Sequence, residues 1–324
     1  MSGTRPSTPE QPRLSGVLPV LATPFGREGS PSLADFDRIT DFNLAAGADG
    51  LVFPGNASEV GSLSPVERTS LADRLWARVA GRVPIVIGLS ASDHEVSLAA
   101  ARQAKSLGAA AVMIAPPVVH RGNPRALMEL LTSLGEVAGT PLILQNAPPP
   151  LGPGLEPGDV ANLVRNLPQI AYLKEECLPA GQRISSHLAN APHHMRGVFG
   201  GAAGRFIMDE LARGAIGTMP SCETPEVHIE LLRAYRRGDT ALARSIYNRM
   251  LPLLMFTSVF KAAGVKAVLR LRGIVESDRC RDPESGLDAM DRRELGAILE
   301  AMGISPIAQT EATDVPRAIG GGAP

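Results

Sequence analysis

Short apolar runs alternate with amphipathic segments along most of the chain. The runs cover 16–25 (GVLPVLATPF), 50–55 (GLVFPG), 84–90 (PIVIGLS), 110–117 (AAVMIAPP), 141–148 (PLILQNAP), 170–177 (IAYLKEEC), 195–201 (MRGVFGG) and 216–222 (IGTMPSC). Several are apolar at both odd and even positions, the pattern of parallel strands covered on both faces. Around them a helical period predicts helices over 33–46, 65–80, 93–107, 124–138, 157–166, 181–190, 204–213 and 225–237. Ser64-Pro65 opens the second of these, with Glu67 at capping-box spacing. Gly81, Gly108 and Gly214 fall where helices should stop.

Eight βα units predict a (β/α)8 TIM barrel. A doubly wound sheet is the alternative, but the first βα turn lacks GxGxxG. Further helical periods at 240–256, 259–272 and 287–302 predict a C-terminal three-helix appendix. The expected organisation is an arm at 1–13, a barrel at 14–239, an appendix at 240–303 and a tail at 304–324. The arm and tail are polar or Gly/Pro-rich and read as disordered.

Composition narrows the function classes. The net charge is −1 with signs interspersed, so neither a nucleic-acid footprint nor a polybasic membrane patch is present. No apolar run approaches membrane-spanning length, and the first 13 residues lack an apolar leader core, so a cytoplasmic location is expected. Cys177, Cys222 and Cys280 are far apart with no CxxC, which predicts reduced thiols rather than disulfides or zinc. No metal-ligand spacing and no cofactor motif stands out.

Of 32 basic residues only four are lysines: Lys105, Lys174, Lys261 and Lys266. Lys174 stands at the end of the sixth run, and barrel active sites gather at the carboxyl ends of strands. If Lys174 points inward, alternation sends Tyr172 and Glu176 inward too and Glu175 outward. A dry interior is expected to strip the amine of its proton. Lowering a lysine pKa from about 10.4 to about 7.5 costs roughly 4 kcal/mol. The neutral amine then attacks a ketone to form an iminium. The plainer reading is that Lys174 caps the barrel mouth by pairing with a glutamate.

Together, "PVLATPF", "G-x-x-x-E…SLSPVER", "GRVPIVIG", "YLKE" and "GVKAVLRLRGI" resemble the pyruvate-aldolase superfamily of dihydrodipicolinate synthase and N-acetylneuraminate lyase, over about 14–303. The resemblance implies a barrel with three added helices, a homotetramer, and Lys174 as imine former for a small 2-oxo acid. Three departures stand out. Gly55-Asn56-Ala57-Ser58-Glu59 replaces the usual Gly-Thr-Thr-Gly-Glu, Gln145-Asn146 replaces Tyr-Asn, and Val118 and Val119 replace a tyrosine after strand 4. Glutamine has no titratable proton, so the tyrosine relay of the aldolases is lost. "N-x-S-E", "Q-N-A-P" and "K-x-E" resemble the L-2-keto-3-deoxyarabonate dehydratases, which eliminate water.

The resulting expectations are specific. Lys174 is the nucleophile, and Glu176, with Gln145, handles protons and orientation. Ser58 and nearby N–H groups, including that of Ala57, hold the substrate carboxylate. Asn56 and Asn146 orient hydroxyls or water, and Glu59 fixes the strand-2 loop by accepting backbone N–H bonds. Gly200, in "FGGAAG", marks either a tight turn or a carboxylate contact. Thr218 and Ser221 line the pocket, His120 is an acid–base candidate, and Lys266 is structural. Two rival functions remain open: an aldolase with a relay through water or His120, and a 2-oxo-acid-binding protein without turnover.

Overall fold

The structure is a computed structural model that describes residues 13–282 and 286–304. Apart from Arg13 and Ile304, the expected arm and tail lie outside the described residues. Eight parallel strands follow one another: β1 (Gly16–Val17), β2 (Leu51–Phe53), β3 (Ile85–Gly88), β4 (Ala111–Ile114), β5 (Leu142–Asn146), β6 (Ile170–Glu175), β7 (Gly197–Gly200) and β8 (Gly217–Thr218). β1 pairs with β8, and the Val20–Val52 bridge closes the ring to β2. The Leu21 N–H donates to Val52 O and the Val52 N–H to Pro19 O, both at 3.0 Å. The fold is a (β/α)8 barrel with added C-terminal helices.

The apolar runs are longer than the strands they contain. Pro19, Pro24 and Pro54 lack the N–H a ladder needs, which shortens β1 and ends β2 early. Inside the barrel, Leu18, Val20, Val52, Val86, Met113, Ile143, Tyr172, Phe199 and Met219 form one buried cluster. They come from all eight strand segments, so the bottom of the barrel is plugged by side chains. A second apolar layer packs the strands' outer faces against the helices.

The helices are α1 (Leu33–Ala45), α2 (Pro65–Val79), α3 (His94–Leu107), α4 (Pro124–Ala138), α5 (Pro157–Asn166), α6 (Ala180–Ala189), α7 (Ile207–Ala212), α8 (Pro225–Arg236), α9 (Thr240–Leu271) and α10 (Ala289–Ala301). The capping box of α2 forms as expected: the Glu67 N–H donates to Ser64 Oγ at 3.2 Å, and the Ser64 N–H to Glu67 Oε2 at 2.9 Å.

The appendix follows expectation: α9 is two helical stretches that meet at a kink at Lys261, whose φ of 48° is non-helical, and α10 is the third helix. By length and apolar composition α9 resembles a membrane span, contrary to expectation. Half of that stretch is buried inside the protein, where it packs with α7, α8 and α10. The helix also packs against the turns Asn56–Ser58 and Ala202–Gly204, both at the carboxyl end of the barrel.

Lys266 ties this roof to the barrel. Its ammonium pairs with Glu59, donates to Arg279 O at 2.9 Å and lies 4.2 Å above the Phe25 ring. The Arg281 N–H also donates to Glu59 Oε2, at 2.9 Å. The two side chains are 1% and 9% exposed, so removing one leaves the other charge buried without its partner. Replacing Lys266 by alanine should therefore lower the unfolding free energy by about 3–5 kcal/mol in urea titrations. An effect below about 1 kcal/mol, the range of an exposed pair, would contradict this reading.

Candidate active site

Strand β6 has two polar faces. Lys174 is in register with Phe199 on β7, a member of the interior cluster, so its side chain faces the barrel interior. Tyr172 faces inward too, but its hydroxyl accepts from the Leu14 N–H at 3.0 Å, at the opposite end of the barrel. Lys174 is 5% exposed. Its Nζ lies 3.2 Å from Glu176 Oε1, so the lysine pairs with a glutamate, as the plainer reading had it, and with the one expected to share its inward direction.

Glu176 is the best-held group of the site. Gln145 Nε2 donates to its Oε2 at 2.6 Å, and the Ala202 N–H donates to its Oε1 at 2.9 Å. Burial pushes the carboxyl pKa up. The charge of Lys174, the Ala202 N–H and the Gln145 amide outweigh it and hold the pKa below the ordinary value. The "FGGAAG" loop is thus a tight turn whose N–H serves Glu176. A Cβ on Gly201 would sit 2.3 Å from Glu176 Cγ, so the loop backbone lies directly against that side chain.

Glu175 faces the other way, into the layer between barrel and helices. It is fully buried, with His187 Nε2 at 2.7 Å from Oε2 and the Cys177 N–H at 2.7 Å from Oε1. Asn146 lies on this same outer side. Its Nδ2 donates to Glu175 and to Leu155 O, while its Oδ1 accepts from the Leu155 N–H. With its amide committed there, Asn146 does not face the interior as expected. Gly200 and Thr218 also take the outer parity, because Gly200 is in register with Glu175 and Thr218 with Gly200. Neither side points at Lys174, and the Thr218 hydroxyl is buried without a partner among the described residues.

The β2 loop divides its labour. Ser58 donates Oγ–H to Leu21 O and accepts the Gly55 N–H at 2.9 Å, so its hydroxyl holds the turn instead of a ligand. Glu59 accepts a backbone N–H, but from Arg281 in the appendix rather than from its own loop. Among the described residues the N–H groups of Asn56 and Ala57 find no acceptor. His120 sits in the exposed turn Val118–His120, where its ring makes no hydrogen bond among the described residues. Ser221 keeps interior parity through its bridge to Val20 and donates to Glu223 Oε1 at 3.0 Å. Cys177 and Cys222 are buried and Cys280 half-buried, all as free thiols; burial pushes Cys222 up to about 12.

The Dihydrodipicolinate synthetase family matches residues 13–302. This chain belongs to that family. An L-2-keto-3-deoxyarabonate dehydratase of Azospirillum brasilense is 32% identical over 295 residues, 89% of this chain and 94% of the relative. A 4-hydroxy-tetrahydrodipicolinate synthase of Acidobacterium capsulatum is 30% identical, covering 90% of this chain and 96% of the relative. In structure, a putative dihydrodipicolinate synthetase of Pseudomonas aeruginosa superimposes with a TM-score of 0.83 at 26% identity, covering 89% of this chain and 99% of that one. Membership in the dihydrodipicolinate synthetase family puts the chain among lyases that act on small 2-oxo acids.

Against this family background, Glu210 of α7 went unnoticed in the sequence because no motif marks it. Its carboxylate lies behind Gly200, where an added Cβ would come within 1.9 Å of Oε2. Both oxygens are buried without a partner among the described residues. Burial, then the charges of Glu176, Asp209 and Glu175, push its pKa from 4.5 up to about 8. The native state therefore keeps a proton that the unfolded chain releases above about pH 4.5. Stability should fall as pH rises from there to about 8, by up to about 1.4 kcal/mol per pH unit. Glu210→Gln should remove that slope. Urea unfolding of both proteins at pH 5.5 and 7.5 checks this, and equal pH dependence would exclude the assignment.

Proposed function

We propose that this protein is a Schiff-base dehydratase of a 2-keto-3-deoxy sugar acid, with L-2-keto-3-deoxyarabonate as the best candidate. One observation carries the reading: Glu176 is fixed between Gln145 and the Ala202 N–H, within 3.2 Å of Lys174 Nζ. A carboxylate so placed receives the amine proton as Lys174 attacks C2. Gln145, standing where related aldolases carry a tyrosine, has no proton to relay but locks Glu176 in one orientation. The dehydratase of A. brasilense supports the same substrate class.

The steps balance without a cofactor. Lys174 Nζ bonds to C2, Glu176 passes the amine proton to the former ketone oxygen, which leaves as water, and an iminium and a free Glu176 carboxylate remain. Glu176 removes a C3 proton to give the enamine. The enamine pair expels the C4 hydroxyl, which leaves as water. Loss of a C5 proton gives an enol, the C3 proton returns, and the enol becomes an aldehyde. Hydrolysis then frees 2-oxoglutarate semialdehyde and Lys174. The Asn56 and Ala57 N–H groups, without an acceptor among the described residues, are suited to the substrate carboxylate.

Borohydride added during turnover should trap one substrate-sized adduct on the wild-type protein and none on Lys174→Ala, read by intact mass. An adduct persisting on the variant removes Lys174 from the mechanism. Glu176→Gln should slow product formation by about 10²–10⁴-fold, the usual range for a lost acid–base group. The product separates the readings: an aldehyde of unchanged carbon count supports dehydration, whereas free pyruvate means an aldolase. That second reading is favoured by one relative, a probable 2-dehydro-3-deoxy-D-pentonate aldolase of Escherichia coli, 24% identical.

A further inference from the structure

We infer that Glu223, just beyond β8, is the second acid–base residue of the site and delivers the proton that carries the C4 hydroxyl away as water. This deepens the dehydratase reading and rests on it. The reaction moves two protons, one taken from C3 and one given to the departing C4 oxygen, and a second acid supplies the latter without drawing on the proton taken from C3. Glu176 serves the first need.

Geometry singles out Glu223 among the remaining carboxyls. Met219 belongs to the interior cluster, and Ser221 bridges to Val20, also of that cluster. Alternation therefore keeps the Ser221 side chain on the interior side at the carboxyl end of the barrel. Ser221 Oγ donates to Glu223 Oε1 at 3.0 Å, which draws the Glu223 carboxyl to the same place. Glu223 is only 2% exposed, and its Oε2 is buried with no partner among the described residues. Arg272 Nη1 holds the Glu223 backbone carbonyl at 2.6 Å, so the residue is anchored from behind. One oxygen is tethered, and the other has its hydrogen-bonding capacity unused among the described residues. Glu210 is buried too, but it stands behind Gly200 on the helix side of the wall.

The electrostatics divide the work between the two carboxyls. Burial raises the Glu223 pKa, and its own N–H, Ser221, His228 and Arg272 only partly offset this. The Glu176 pKa is lowered. Two carboxyls pushed apart in this way form an acid and a base. Glu223 gives its proton to the departing C4 oxygen as the enamine pair pushes it out, and becomes a carboxylate. It then takes the C5 proton and is restored for the next cycle, while Glu176 returns the proton it took from C3.

The test follows three signals with L-2-keto-3-deoxyarabonate: borohydride-trapped adduct on Lys174, exchange of C3 hydrogen with D2O, and release of aldehyde. Glu223→Gln should keep adduct and exchange within about threefold of wild type while aldehyde release falls about 100-fold or more. Glu223→Asp, which keeps the acid, should recover part of that loss. Ser221→Ala, a milder change that keeps the acid but frees it, should lower aldehyde release about tenfold with the adduct unchanged, and it decides the matter if Glu223→Gln does not fold. Aldehyde release near the wild-type rate in Glu223→Gln, or in Ser221→Ala, overturns the inference. So does a loss of adduct and exchange in step with aldehyde, which marks a structural role. If the wild-type protein itself forms neither adduct nor aldehyde with any 2-keto-3-deoxy acid, the dehydratase reading falls and this inference falls with it.

Discussion

The grip on one buried carboxylate organises this molecule. Glu176 is bound by Lys174 Nζ, the Gln145 amide and the Ala202 N–H, contributed by β6, β5 and the loop after β7. A charged carboxylate in a barrel interior is tolerable only when donors replace the water it has lost. Three neighbouring strand ends must therefore arrive in register for the site to exist at all. The small residues of 199–204 belong to the same requirement, because any side chain at Gly201 would collide with Glu176.

The polar groups at this level occupy both sides of the barrel wall. Inside stand Lys174, Glu176 and Gln145. Outside, in the helix layer, stand Asn146, Glu175, His187 and Glu210, all fully or nearly fully buried. The outer set is largely closed on itself: Asn146 ties both Glu175 oxygens to the loop around Leu155, and His187 adds a second partner at Oε2. A strand with a satisfied charge on its back cannot twist to present Glu175 in place of Lys174 without leaving a buried carboxylate unpaired. The back of β6 thus enforces the direction of its front. Glu210 is the exception, a buried acid without a partner among the described residues, and the space for it exists because position 200 is glycine.

The appendix contributes in a different currency. α9 lies across the turns that follow β2 and β7, the two loops that carry the free N–H groups and the Ala202 donor. Lys266 and Arg281 bind Glu59 at the base of the β2 turn, so the roof and the loop are joined there. The few lysines of this chain are consequently not equivalent. Lys174 and Lys266 are both buried and both face a glutamate, but one partner lies two residues on, just past the end of β6, and the other joins two distant parts of the chain.

Much of this was legible in order along the chain. Period-two and period-3.6 patterns are local, so strand and helix positions, the barrel, the capping box of α2 and the place of Lys174 and Glu176 at a strand end could be read directly. The family could be read as well, since its motifs are contiguous. Parity within β6 followed from counting. What counting could not provide was parity on other strands and the partners found there. Ser58, Asn146, Gly200 and Thr218 carry the right chemistry for a ligand, but register and hydrogen bonding turn them to the loop interior or to the helix layer. Glu210 and Glu223 drew no attention, because nothing in their neighbours' identities marks a buried carboxyl. Burial and pairing depend on residues tens or hundreds of positions away, and only the closed barrel brings those residues together.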